Sequence, residues 1–175
     1  MKISKNFTLN EVTRSNTALR MGIDNTPSKE HILKLRLLAT EFLQPLRDRI
    51  GALRVTSGYR SQELNKAIGG SYKIDDNGNY IPKSQHCKAE AVDLQYFKRG
   101  RMDNYKIFRG IIEGSLEFDQ IILEFGGATA ERDSDHPDWV HVSWKIKDNR
   151  RQVLVAYKDK NNKTKYRPPI NYHSV

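Results

Sequence analysis

The stretch from Ser84 to Leu94, with the sequence Ser-Gln-His-Cys-Lys-Ala-Glu-Ala-Val-Asp-Leu, contains the residue types best suited to metal chemistry. His86 and Asp93 lie seven positions apart in it, and Ala91 to Leu94 is expected to enter a buried strand. An imidazole and a carboxylate that arrive from a turn and from the following strand suit a zinc ion. Zinc needs at least a third protein ligand, and His141 is the best candidate.

These residues form a longer pattern, Ser-x-His-x-x-Ala-x-Ala-x-Asp over residues 84–93, followed by Trp-x-His over residues 139–141. The pattern resembles that of the zinc D-alanyl-D-alanine carboxypeptidase family, in which Gly usually stands at the position of Ala89. That family includes phage L-alanyl-D-glutamate endolysins and shares its fold with the Hedgehog signalling domain. Two further segments, residues 57–65 and Phe118 to Glu124, are similar to segments of the family in the same order.

The resemblance implies a zinc ion bound by His86, Asp93 and His141, with a water in the fourth position. It also implies that Asp138, three residues before His141, acts as the catalytic base, and that Arg60 binds or polarises the substrate. Strict strand alternation would point positions 138 and 141 in opposite directions, so this role for Asp138 requires a turn or bulge beside it.

The remaining candidate residues have weaker assignments. Tyr59 and Ser84 are assigned to substrate binding, and a role for Ser84 in stabilising the turn is equally open. Glu124, at a predicted strand end, is either a partner that orients a ligand histidine or an ordinary strand-end carboxylate. If the turn at Ala89 requires a positive φ, the side chain there costs about 1 kcal/mol or more.

The elements that must position these residues predict an α+β fold, with a small, mainly antiparallel sheet and helices packed on one side. Residues 1–25 are interpreted as an N-terminal docking segment. Thr26 and Pro27 predict the start of a long amphipathic helix, which Pro45 interrupts. Residues 72–83 are interpreted as a hairpin inserted beside the site, with Asn77-Gly78 as a two-residue turn, and residues 167–175 as a tail.

Length and composition are consistent with one domain over residues 1–175. No segment has the length and apolar content of a membrane span, the N-terminus has no apolar signal core, and one cysteine excludes an internal disulfide. We therefore expect a monomer that is synthesised in the cytoplasm. It would reach the cell wall through lysis machinery or as part of a virion.

The formal charge of +9 favours polyanions, either nucleic acid or anionic cell-envelope polymers, and is equally compatible with a dispersed positive surface. No nucleic-acid-binding motif is present, so no specific nucleic acid is expected. The resemblance predicts a zinc peptidase of peptidoglycan stem peptides from a phage or prophage, with either D-Ala-D-Ala carboxypeptidase or L-Ala-D-Glu endopeptidase activity. The alternatives are a non-catalytic zinc-binding module on the same fold and, third, a basic nucleic-acid-binding protein.

Overall fold

Most helices precede most strands along the chain in the computed structural model, which describes residues 1–170. The helices are α1 (Leu9–Thr13), α2 (Asn16–Met21), α3 (Lys29–Leu37), α4 (Gln44–Ile50), α5 (Gln62–Ala67) and α6 (Tyr105–Glu113). The strands are β1 (Leu53–Ser57), β2 (Tyr72–Ile74), β3 (Tyr80–Pro82), β4 (Ala91–Lys98), β5 (Arg101–Met102), β6 (Gln120–Glu124), β7 (Trp139–Ser143), β8 (Gln152–Lys158) and β9 (Thr164–Arg167).

The main sheet has the strand order β1-β4-β7-β6-β8-β9, with the short β5 paired to β4. Every pair in it is antiparallel except β6 and β8, which run parallel because the chain crosses over β6 on its way from β7 to β8. The α+β class is confirmed, and the mainly antiparallel sheet is confirmed with this one parallel pair. Strands β4 and β7 are therefore neighbours at the centre of the sheet, although more than 40 residues separate them in sequence.

One face of the sheet packs against helices, and the other face is free to form a site. Helix α6 contacts β4, β6 and β7, and α4 packs against α6. The two helices approach closely because Gly110 has no side chain: a Cβ there would lie 2.4 Å from Cγ2 of Ile50. The buried cluster also includes Ile3, Phe7 and Val12, so the N-terminal segment is docked on the core.

The long helix begins later than predicted. Ser28 caps it, accepting a hydrogen bond from the backbone N–H of His31, and the first helical residue is Lys29. Thr26 is not the cap, because Ser28 occupies that position; the N–H of Thr26 donates to the side chain of Asp24. The predicted interruption is present as a π-helical turn, Leu38–Leu43, immediately before α4; Pro45 has no N–H with which to continue regular pairing.

Strand pairing determines where helix α6 begins and where the β2–β3 hairpin turns. Helix α6 begins at Tyr105, because Arg101–Met102 pairs back onto β4 as β5. The predicted hairpin at residues 72–83 is present, but its turn is longer than the predicted two residues, Asn77-Gly78. The N–H of Asp75 donates to the carbonyl oxygen of Asn79 across this turn, and Gly78 within it has φ +81°.

The predicted tail is anchored where the structure describes it. Arg167 belongs to β9 and forms an ion pair with Asp133, and the N–H of Ile170 donates to the same carboxylate. Residues 171–175 of the tail lie outside the described residues. None of the helices within residues 1–170 combines the length and apolar character that a membrane span needs.

Candidate metal centre and cleft

Strands β4 and β7 bring two of the predicted ligands side by side. Asp93 on β4 is paired directly with His141 on β7, so both side chains project from the same face of the sheet. His86 comes from a 3-10 turn, Gln85–Lys88, which ends two residues before β4 begins. All three residues are buried, with exposed fractions of 3% for His86 and 8% for Asp93 and His141.

The ligand atoms of these three residues converge on one point. Oδ1 of Asp93 lies 3.3 Å from Nε2 of His86 and 3.0 Å from Nδ1 of His141. All three atoms lie within 4.8 Å of one another. A tetrahedral zinc ion with bonds of roughly 2.0–2.1 Å separates its ligands by about 3.3 Å, so the observed spacing fits zinc.

The hydrogen bonds around His86 also fit a metal ligand. Its Nδ1 lies 2.7 Å from the carbonyl oxygen of Gly58. Since a carbonyl oxygen only accepts hydrogen bonds, Nδ1 carries the proton, and Nε2 presents its lone pair to Asp93 and His141. This is the arrangement by which a backbone carbonyl commonly fixes the tautomer and the ring orientation of a metal-binding histidine.

The electrostatics of the cluster favour the protonation states that metal binding needs. Burial lowers the pKa of His86, which keeps its imidazole neutral. Burial by itself acts to raise the pKa of Asp93, but the two histidines and their hydrogen bonds outweigh it and hold that pKa well below its usual range. Asp93 is therefore ionised near neutral pH, as a zinc ligand must be.

Arg60 lies against the cluster and is held there by its own contacts. Its Nη2 donates to Oδ2 of Asp93 at 3.1 Å and to Oγ of Ser57 at 2.8 Å, and its Nε donates to the same hydroxyl. The backbone N–H of Arg60 donates to the carbonyl oxygen of His86. Arg60 therefore orients Asp93 and also lines the cleft.

The turn between His86 and β4 does require a left-handed residue. Ala89 has φ +59° and ψ +34°, and its N–H donates to the carbonyl of His86. The Cβ that replaces the hydrogen of a glycine costs about 1–2 kcal/mol in this conformation. The surrounding turn and the buried position of Ala89 hold it there.

The cluster forms part of the floor of a cleft of about 500 Å³. The face of the sheet supplies Ile122, His141 and Leu154 in one cross-strand row, and Trp139 and Glu124 in the next. The residues at the two ends of the β2–β3 hairpin form the opposite rim; they are Gly70, Ser71, Lys83 and Ser84.

Glu124 is the carboxylate of the cleft that has no fixed partner. It is 8% exposed, and within residues 1–170 its side chain makes neither a hydrogen bond nor an ion pair. Burial raises its pKa to about 7, against the lowering effect of His141. Glu124 makes no hydrogen bond to either ligand histidine in the described structure, so it does not orient one in that way. A bound cation would lower its pKa from this value.

The structure does not bring Asp138 into the cleft. Its side chain is exposed before the start of β7, and its N–H bonds to the carbonyl of Glu124 one residue out of register with the β6–β7 ladder. Its carbonyl oxygen accepts from the side chains of Gln95 and Asn104. The irregular pairing expected near Pro137 is present, but Asp138 does not line the cleft.

The two predicted substrate-binding residues are separated. Ser84 lines the cleft, directly before the turn that holds His86. Tyr59 is buried, its ring lies 5.0 Å from that of His31, and it lines a different cavity of about 650 Å³ on the outer side of β1. That cavity is larger, but the metal-ligand cluster faces the other one.

Sequence reasoning missed an aromatic wall at the Glu124 end of the cleft. It consists of Phe125, Trp139 and Tyr166. The rings of Phe125 and Trp139 lie 5.4 Å apart, edge to face. Burial, together with the charges of Glu124 and Asp93, raises the pKa of the Tyr166 hydroxyl. The only available signal was the alternation of each strand, which leaves unknown which strands are neighbours.

Two histidines and an aspartate in an open cleft, beside an arginine and a free carboxylate, are typical of a hydrolytic zinc centre. The family model described as Peptidase M15 matches residues 5–112, more than half of the 175 residues, and the chain belongs to this family of zinc peptidases. The match includes Arg60, His86 and Asp93 and ends before Glu124 and His141. Comparison with curated proteins and with solved structures gives no match.

Proposed function

We propose that this peptidase hydrolyses peptide bonds in the stem peptides of peptidoglycan, using a zinc ion bound by His86, Asp93 and His141. The observation that carries the proposal is the convergence of three ligand atoms within 4.8 Å of one another, in a cleft that Arg60 and Glu124 also line. A zinc ion bound there would polarise the substrate carbonyl and lower the pKa of a bound water.

Two residues of the cleft, Arg60 and Glu124, would orient the substrate and transfer the proton. Arg60, fixed by Ser57 and Asp93, would orient the substrate through the guanidinium donors that these contacts leave free. Glu124, which has a raised pKa and no partner among residues 1–170, would accept a proton from the attacking water and pass it to the leaving amine. Asp138, the carboxylate favoured by the family pattern, is the competing candidate for this proton transfer.

Peptidoglycan as substrate is supported by the resemblance of the motifs and by the charge of the protein. Stem peptides carry carboxylates, and Arg60 and Lys83 line the cleft of a chain whose formal charge is +9. The same charge supports additional contact with anionic polymers of the cell envelope. The β2–β3 hairpin, whose ends form one rim of the cleft, would contribute to substrate choice.

The resemblance to phage endolysins supports a role in cell lysis or entry. Under this proposal the protein is made in the cytoplasm and reaches the wall with the help of lysis machinery or in a virion. Both D-Ala-D-Ala carboxypeptidase and L-Ala-D-Glu endopeptidase activities remain within the proposal, because nothing in the cleft discriminates between these two bonds.

Digestion of the synthetic pentapeptide L-Ala-D-Glu-L-Lys-D-Ala-D-Ala, followed by mass analysis of the products, tests this function. We expect products that disappear on chelation and return with zinc, and their masses identify the bond. His141→Ala should lose both the zinc and the activity. A wild-type protein that holds one zinc per chain yet cleaves neither this peptide nor purified peptidoglycan would favour the non-catalytic zinc-binding module.

A further inference from the structure

Tyr166 projects into the cleft from the edge of the sheet. It is paired with Ala156 on β8, and Ala156 is paired with Glu124 on β6. Residues directly opposite one another across a sheet share a face, so Tyr166 and Glu124 lie on the same face, two strand spacings or roughly 10 Å apart. Tyr166 lies beyond the end of the family match at residue 112.

The residue between these two side chains in the row, Ala156, is small. Ala156 is fully buried, and no larger side chain separates Tyr166 from Glu124 in this row. Tyr166 lines the cleft, and 54% of the residue is exposed. Its hydroxyl makes no hydrogen bond with any residue between 1 and 170, so this lining residue of the cleft has a donor without an internal acceptor there.

Most neighbouring groups on this wall are unavailable for the same task. Ile122 and Leu154 are apolar and cannot donate a hydrogen bond, whereas the hydroxyl of Thr164 accepts one from Nζ of Lys158 at 2.8 Å and keeps its own proton. On the opposite side of the cluster, Nε and Nη2 of Arg60 are already bound to Ser57 and Asp93. A substrate that spans the centre therefore meets partly occupied donors at one end and the free hydroxyl of Tyr166 at the other.

We propose that Tyr166 is a substrate-binding residue whose hydroxyl donates a hydrogen bond to a carbonyl or carboxylate oxygen of the bound peptide. A peptide offers such an oxygen at every residue, and the apolar neighbours Ile122 and Leu154 strengthen a hydrogen bond made beside them. This inference rests on the proposed peptidase function and adds a contact from the last strand of the sheet.

Tyr166→Phe removes one oxygen atom, and Tyr157→Phe is its matched control. Tyr157 lies in the same hairpin, but its ring packs against the core on the opposite face of the sheet. With the same pentapeptide, Tyr166→Phe should raise KM and lower kcat/KM by roughly 3- to 10-fold, the range expected for one uncharged hydrogen bond. Zinc content and thermal midpoint should equal those of the wild type, and Tyr157→Phe should retain wild-type kinetics.

A binding measurement separates this contact from the chemical step. In a Glu124→Gln background, which prevents turnover during the titration, tryptophan fluorescence reports peptide binding because Trp139 lines the cleft. Adding Tyr166→Phe should raise the dissociation constant by the same factor as KM. Unchanged binding and kinetics in an otherwise active enzyme would overturn the role of Tyr166 and leave the peptidase function intact. A wild-type protein that neither binds nor cleaves the peptide would overturn both.

Discussion

Glu124 and Asp138 are the two carboxylates that compete for the proton-transfer role, and their surroundings differ sharply. Glu124 lies buried inside the cleft and has no partner in the described part of the chain, whereas Asp138 is exposed just before β7. Proton transfer requires a group within hydrogen-bond reach of the reacting water. The position of each carboxylate is therefore a stronger criterion than its pKa. The geometry therefore favours Glu124, although the family pattern favours Asp138.

Paired substitutions decide between these residues. Glu124→Gln should lower kcat by roughly 10²- to 10⁴-fold, because the amide keeps the shape of the side chain but cannot accept the proton. Asp138→Asn should change kcat by less than about 3-fold, since an exposed side chain outside the cleft is replaced by its isostere. Zinc content, measured by metal analysis, should stay at one ion per chain in both. The reverse pattern of rates would assign the proton transfer to Asp138.

At the scale of elements, the buried carboxylate of Asp119 connects the turn that holds His86 to the segment between β7 and β8. It lies just before β6, accepts from the side chain of Gln85 at 2.8 Å, and pairs with Lys145 and Arg150. Gln85 immediately precedes His86, so Asp119 connects the metal-binding turn to the segment that joins β7 and β8. Burial acts to raise the pKa of Asp119, but the hydrogen bonds from Arg150, Lys145 and Gln85 prevail and lower it.

Asp119→Asn should destabilise the fold by roughly 2–4 kcal/mol, because the cations lose a buried partner and the amide cannot accept all of their hydrogen bonds. The matched control is Glu117→Gln. Glu117 pairs with Arg151 in an exposed ion pair, and its loss should cost less than about 1 kcal/mol. Urea unfolding at neutral pH measures both free energies; equal values for the two variants would contradict the anchoring role of Asp119.

The pH dependence of this effect follows from the lowered pKa of Asp119. A carboxylate with a depressed pKa in the folded state contributes stability above its unfolded pKa, about 3.9, and the contribution disappears as pH falls through the folded pKa. The difference in free energy of unfolding between wild type and Asp119→Asn should therefore be constant above about pH 5 and shrink below about pH 4. Urea titrations at several pH values measure this difference, and one that grows towards acid pH would be inconsistent with it.

At the scale of the whole molecule, local sequence patterns predicted the helices and strands well but did not predict which strands pair with one another. The types of His86, Asp93 and His141, together with the family resemblance of their motifs, indicated the ligand cluster, and the structure brings the three together. The aromatic wall was not predictable, because Tyr166 reaches the cleft only through the crossover that makes β6 and β8 parallel. Alternation within a strand fixes which residues share a face, but it does not specify which strands pair.

The sheet also shows why the segment that matches the family should not fold by itself. Residues 1–112 contain β1 and β4, but the strand that pairs with the inner edge of β4 is β7, and β6 and β8 follow beyond it. The core would lose buried side chains that include Phe118, Ile121, Val142 and Val155. With one edge of β4 unpaired and its helices uncovered, the fragment buries too little apolar surface to offset its conformational entropy.

We therefore expect a fragment of residues 1–112 to lack a cooperative thermal transition and dispersed amide resonances, and to lack the third zinc ligand, His141. A chain ending at residue 170 is the control, because it retains every described strand and the contact between Ile170 and Asp133. Circular dichroism melting and a two-dimensional amide spectrum compare the two. A cooperative melt of the shorter fragment would mean that the helices and β4 form a stable unit before β6 to β9 assemble on it, and that the central pairing of β4 with β7 is not required for folding.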